Sequence, residues 1–226
     1  MKWCFCGSNS LLGLVWNTGP IGKGVLVILL VMFVVALTFF INRYVIVKEH
    51  NRHTAAALED LKHIKTFDEL VAFGLSVRGS LAGVLLKRLI QRAKDLQDRG
   101  VAKNFDVFTN QLARCAEQNI GIFMTDAEEY MPYFSAAASM APLLGLVGTV
   151  VGLINAFIGI SRLQSVNITV IAPGVAEALV TTFAGLVVAL SSLLFFHLVQ
   201  SKIRLLERQL FAFSDTVIAH IEQVLV

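Results

Sequence analysis

Between Glu129 and Arg162 the chain runs for 32 residues without a formal charge, and between Arg162 and Lys202 for 39 more in which Glu177 is the only one. About 20 apolar residues suffice for a helix to cross the hydrocarbon core of a bilayer. Each run is therefore long enough to span and to project past the bilayer on one side. The break between them, RLQSVN, is too short for anything but a hairpin. A third run, the 19 residues between Lys23 and Arg43, gives roughly 28 Å at about 1.5 Å per residue, one hydrocarbon thickness. Composition agrees: 56% of the 226 residues are hydrophobic and 15% charged, too apolar for an ordinary soluble domain. The chain reads as an all-α integral membrane protein with three transmembrane helices.

Basic residues set the orientation. Arg43, Lys48 and Arg52 follow the first span, and Lys202, Arg204 and Arg208 follow the third. The opposite ends offer Lys2 and Lys23, and Arg162 in the hairpin. The expected order is an external amphipathic segment over 1–20, a transmembrane helix over 21–42, and a cytoplasmic helical domain over 43–133. A second span over 134–161, an external turn over 162–167, a third span over 168–200 and a cytoplasmic helical tail over 201–226 complete it. The first run is longer than a signal-peptide core and no small-residue cleavage site follows it, so it is expected to be a retained anchor. In the segment before it, Trp3 and Trp16 suit an interfacial position.

The block over 43–133 carries 13 of the 19 Lys and Arg and 12 of the 16 Asp and Glu. It is nearly charge-balanced and amphipathic at helical spacing, notably in AAALEDLKHIKTFDELVAF and GSLAGVLLKRLIQRAKDLQDRG, with Gly100 expected to stop a helix. The tail repeats Ile203, Leu206, Leu210, Phe213, Val217 and Ile221 at the same spacing, an apolar stripe that needs a partner. The long helices are thus expected to extend into a cytoplasmic helical bundle. The net charge of +3 is spread along the chain and implies no nucleic-acid partner. Cys4, Cys6 and Cys115 make no disulfide framework. His50 and His53 are spaced for one helix face, but no third metal ligand accompanies them, and no cofactor is implied.

The hairpin carries the chemistry. Ala141, Gly145, Gly148, Thr149, Gly152, Ala156 and Gly159 recur at spacings of three and four, and Gly174, Ala178, Thr182, Gly185, Ala189 and Ser192 answer from the third span. Stripes of small residues let helix backbones approach closely in lipid, so an intrachain hairpin accounts for most of them. Three spans cannot close around a pathway alone, which implies a homo-oligomer surrounded by membrane lipid. The glycines make neither a Walker loop, lacking Gly-Lys-Ser/Thr, nor a Rossmann turn, lacking a strand. No nucleophile–base pair is evident, which argues against an enzyme.

An ionisable residue at membrane depth is costly and marks function. Neither span of the hairpin holds a Lys or Arg that could pair with Glu177, so its carboxyl is expected to gain and lose a proton. Counted from a turn centred at Ser165, Thr149 and Thr182 lie at nearly equal depth, with Glu177 about five residues, or ~7.5 Å, nearer the outside. Thr181, four residues from Glu177, shares its face. A carboxyl with hydroxyls further inward suits a proton relay. A buried carboxyl that merely holds helices together is the alternative.

The run Ala141-Pro142-x-x-Gly145-Leu146-x-Gly148-Thr149-Val150-x-Gly152, followed by NAFIGIS, by Ala172-Pro173-Gly174-Val175-Ala176-Glu177-Ala178-Leu179 and by Thr181-Thr182-x-x-Gly185-Leu186, resembles the ExbB/TolQ/MotA family of proton-driven motor subunits. The likeness is strongest over about 131–190. Its wording is closer to ExbB, although Met131-Pro132-Tyr133-Phe134 is similar to TolQ, and the MotA branch differs in having four spans. The resemblance makes Glu177 the family's intramembrane glutamate and Thr149 and Thr182 its two hydroxyl positions. It also implies packing roles for Pro142, Pro173 and the hairpin's small residues. Ser191 stands where the family usually has a proline, so a kink there is in question. What the resemblance implies is an oligomeric ring of five subunits around two copies of an ExbD- or TolR-like single-span partner with an intramembrane aspartate. This assembly sits in a bacterial inner membrane, with the N-terminus periplasmic and the C-terminus cytoplasmic. A TonB- or TolA-like protein would carry the force onward. The expected activity is ExbB-like, coupling proton motive force to TonB-dependent uptake. TolQ-like envelope maintenance, an autonomous ion channel and a purely structural scaffold are the alternatives.

Overall fold

A computed structural model describes residues 19–61, 63–64, 69, 72–74, 79–100, 105–163 and 168–225. The amphipathic segment expected over 1–20 falls outside these except for Gly19 and Pro20, taking Trp3, Trp16, Cys4 and Cys6 with it. Of the expected turn over 162–167, positions 164–167 fall outside as well.

Five helices are described. α1 spans Pro20–Leu61, α2 Leu81–Asp98, α3 Phe105–Glu128, α4 Met131–Leu163 and α5 Ile168–Leu225. Among the described residues, three helical stretches are long and apolar enough to cross a membrane: Pro20–Leu61, Phe105–Ser161 and Ile171–Glu222. The second joins α3 and α4, which a turn at positions 129–130 separates.

Local chemistry explains the ends. Proline opens α1, where its missing N–H is no loss, and the first bond runs from the Lys23 N–H to the Gly19 carbonyl at 3.0 Å. Ser80 caps α2 from an extended conformation, its hydroxyl accepting from the Gly83 N–H at 3.1 Å, as N-cap serines do. The same helix stops where Gly100 takes φ +71° and donates to the Gln97 carbonyl, a left-handed step that favours glycine. The segment AAALEDL, amphipathic at helical spacing, continues the helix of the first span to Leu61.

The chain divides into two compact units. The first holds the residues up to Phe40 together with Met131–His197. Many of its large apolar side chains face outward: Leu190 is 71% exposed and Phe157 68%, while the small Ala141, Thr181 and Ser192 are fully buried. That arrangement inverts a soluble protein and suits a lipid or subunit surround. Val25 and Leu29 of α1, Ala141 of α4 and Val188 of α5 form its apolar cluster, and Phe40 stacks on Phe195 at 4.4 Å.

The second unit, Ile41–Tyr130 with Leu198–Val226, has an ordinary core. Leu85, Leu86 and Leu89 of α2 and Leu112 of α3 are wholly buried, and so are Leu210, Phe213 and Val217 of the α5 stripe. The stripe thus finds its partner within its own chain. Polar contacts fix its register: the Asn51 amide donates to the Lys202 carbonyl at 2.9 Å, Thr109 donates to Glu222 at 2.7 Å, and an Nε2 of His220 meets the Ile64 carbonyl. Arg43 pairs with Glu129 at 2.9 Å and lies over the Tyr130 ring.

Candidate functional site

The hairpin is built on a seam where backbone meets backbone. A Cβ on Gly185 would stand 2.6 Å from the Ala141 carbonyl, and one on Gly145 would stand 3.0 Å from the Thr181 carbonyl and the Thr182 Cα. Further along, Gly152 faces Gly174 and Ala178, and Gly174 in turn faces Ala156. Gly145, Gly148, Gly152, Gly174, Gly185 and Ala178 are therefore brought together in the seam, with Ala141 and Ala156. Close approach of this kind is how membrane helices associate, through contact rather than a hydrophobic drive. The two prolines border seam residues in sequence, Pro142 following Ala141 and Pro173 preceding Gly174. Both lie inside helices, but Pro142 is half-buried and Pro173 exposed.

Glu177 lies on α5 three residues beyond the seam glycine Gly174, and it reaches a third element. Its Oε1 accepts the backbone N–H of Gly19 at 3.0 Å, at the amino end of α1. A carboxylate is well placed there, because unpaired N–H groups and the helix dipole both favour negative charge. Gly22, one turn into α1, faces the same carboxylate so closely that a Cβ at that position would overlap it. A Cβ on Gly19 would lie 3.6 Å from Oε1 of Glu177 and 3.9 Å from Nδ2 of Asn155, so the Asn155 amide borders the site. The ion pairs among the described residues are Arg43–Glu129 and His53–Glu49, and neither involves Glu177. Gly19, Gly22 and Asn155 escaped the sequence reading. The signal was the Gly-Pro-x-Gly start of α1, which reads simply as a turn.

Each of the three threonine hydroxyls finds its own backbone carbonyl. Thr181 is fully buried against Gly148 and donates to the Ala178 carbonyl at 2.8 Å. The Thr182 hydroxyl crosses the hairpin to the Gly145 carbonyl at 3.2 Å. Thr149 turns back on its own helix, donating to the Leu146 carbonyl at 2.7 Å. The hydroxyls of Thr182 and Thr149 are thus satisfied by the carbonyls of Gly145 and Leu146, which are neighbours on α4. Ser191, in the position where the resemblance suggested a proline, donates to the Val187 carbonyl at 2.8 Å, and α5 runs through it. Among the described residues no group of three or more His, Cys, Asp or Glu is placed to hold a metal, and Cys115 is a free thiol.

The arrangement can hold one carboxyl at the end of an apolar hairpin, seated on a backbone donor, with threonine hydroxyls along the same helix. Against the models of known families, residues 86–211, more than half of the chain, match the MotA/TolQ/ExbB proton channel family. The chain belongs to that family. As a member of it, with three apolar helical stretches, it is a multi-pass membrane protein. Among curated family members, the biopolymer transport protein ExbB of Salmonella typhimurium is 42% identical over 66 residues, covering 29% of this chain and 27% of that protein. The Tol-Pal system protein TolQ of Pseudomonas aeruginosa is 32% identical over 88 residues, 39% of this chain and 38% of its own. ExbB of Neisseria meningitidis aligns over 206 residues at 24% identity, covering 90% of this chain and 93% of its own. The Salmonella match thus spans about a quarter of that protein's length, whereas the weaker Neisseria match spans nearly all of its counterpart.

Proposed function

We propose that this chain is an ExbB-like, non-enzymatic subunit of an inner-membrane motor driven by protons. Five copies form a ring around an ExbD-like single-span partner, with the N-terminus periplasmic and the C-terminus cytoplasmic. The assembly couples proton motive force, through a TonB-like protein, to uptake across the outer membrane. The observation that carries this reading is Glu177: an acid within an apolar hairpin, held by a backbone N–H rather than by a cationic side chain. A carboxyl bound in that way keeps its charge free to respond to a proton or to a partner helix. One proton moving through 100 mV releases about 2.3 kcal/mol, so substantial work takes several protons per cycle.

Replacing Glu177 with Ala and with Gln tests this. Energised uptake is expected to be lost in both, with normal membrane levels and assembly; full activity in both variants would sink the reading.

A TolQ-like role in envelope integrity is the second reading. It is supported by TolQ matches of 32% and 33% identity that reach over 39% and 41% of this chain, beside ExbB matches of 66 and 206 residues. Copurification decides between them, since a TonB-like or a TolA-like protein would accompany the complex. An autonomous channel would instead pass current from the purified chain without any partner, which is not expected.

A further inference from the structure

Two glycines near the start of α1 differ in what surrounds them. A Cβ on Gly22 would overlap Oε1 of Glu177 and come within 3.1 Å of its Cδ and 3.4 Å of its Cγ. A Cβ on Gly24, in the same helix, would meet nothing within 4 Å. The bare backbone at position 22 therefore answers to the carboxyl group and not to the helix. The same Oε1 accepts the backbone N–H of Gly19, at 3.0 Å. The two contacts come from the same turn of one helix, and the Gly19 donor lies 158 residues from Glu177 in sequence.

We propose that Gly22 is a positioning residue for Glu177, and that with the Gly19 N–H it forms a seat that fixes where the carboxylate waits between proton transfers. This rests on the reading of Glu177 as the proton-handling group. A backbone N–H suits the task because it neither titrates nor neutralises the acid as a lysine or arginine would. It orients the carboxylate through a charge-assisted hydrogen bond and leaves its charge available. The slot above Gly22 is wide enough for a carboxyl only while no Cβ is present. Even a methyl group there pushes the acid off the Gly19 N–H. Misplacement of a reacting group by about 1 Å is enough to cost on the order of 100-fold in rate.

The test uses the full-length protein with its partner in lipid nanodiscs, labelled with 15N-glycine, the Gly19 resonance being assigned by its loss in Gly19→Ala. The Gly19 amide proton is expected at low field in the wild type. It should move upfield in Glu177→Gln, which replaces the charged acceptor with a neutral one, and in Gly22→Ala, and stay in place in Gly24→Ala. In cells, Gly22→Ala is expected to lower proton-driven activity by about tenfold or more at an unchanged membrane level, while Gly24→Ala keeps it. A Gly19 resonance indifferent to Glu177→Gln, or a Gly22→Ala variant that matches Gly24→Ala in both measurements, overturns the proposal. If the resonance moves as expected but Glu177→Gln is fully active, the seat stands and the proton-handling role of Glu177 falls.

Discussion

Gly148 and Thr181 fill one space between them: a Cβ on Gly148 would stand 2.5 Å from the threonine Oγ1 and 2.6 Å from its Cβ. The pair predicts a size exchange. Gly148→Ala alone should destabilise the hairpin by about 1–3 kcal/mol, the usual cost of overpacking. Thr181→Gly made together with it should recover most of that loss, because both clashing atoms belong to the threonine. Thermal unfolding of single and double variants in lipid, read as a double-mutant cycle, measures the coupling. Additive losses would show that the two residues do not share the space.

Glycine-to-alanine changes should differ in sign along this chain. At Gly185 the new Cβ would meet the Ala141 carbonyl at 2.6 Å, and backbone cannot step aside, so Gly185→Ala should cost about 1–3 kcal/mol. Gly121 lies inside α3 with nothing within 4 Å. Gly121→Ala should therefore stabilise by up to ~1 kcal/mol through helix propensity alone. Melting temperatures of the two variants, measured side by side, are expected to move in opposite directions.

Two threonine variants separate packing from chemistry. Thr182→Val removes the hydroxyl that bridges to the Gly145 carbonyl and should cost about 0.6 kcal/mol, an average for hydrogen bonds between membrane helices. Thr149→Val removes only a bond within its own helix and should change stability by less than about 0.5 kcal/mol. If both hydroxyls serve a proton path, proton-driven activity falls in both variants despite the unequal effect on stability. Full activity in Thr149→Val would remove that residue from the path.

The second unit should behave as a soluble core. Phe213 is fully buried, and Phe213→Ala should destabilise that unit by about 3–5 kcal/mol. Hydrogen exchange of the α2 and α3 amides is the suitable measurement. Faster exchange throughout both helices is expected, and protection equal to wild type would show that the α5 stripe is not integral to this core.

Much of this architecture could be read from periodicity and charge alone. The uncharged runs are long enough to announce their helices, and residues at spacings of three and four, from Gly145 to Gly152 or from Ile203 to Ile221, share a face by helix geometry. What periodicity cannot supply is which foreign group comes to rest on a given side chain. The seat of Glu177 lies 158 residues away, in a Gly-Pro turn with no distinctive chemistry of its own. The partners of the threonines were likewise beyond counting. A count from Ser165 gives depth along the hairpin, whereas contact comes from the seam, which sets Thr182 against Gly145 and Thr181 against Gly148. Helices that approach this closely settle their register by which backbone atoms can touch.

The backbone seam also reverses the tolerance of the hairpin to mutation. A soluble core accepts exchanges among large apolar side chains of similar volume, and its surface accepts nearly anything polar. Here the interior is already at the minimum of size, so positions such as Gly145, Gly174 and Gly185 can move only upward and have nowhere to go. The outward Leu179, Phe183 and Leu190 can trade among bulky apolar types without disturbing the seam. A saturation map of the hairpin would read inside out, its most permissive positions being its largest side chains.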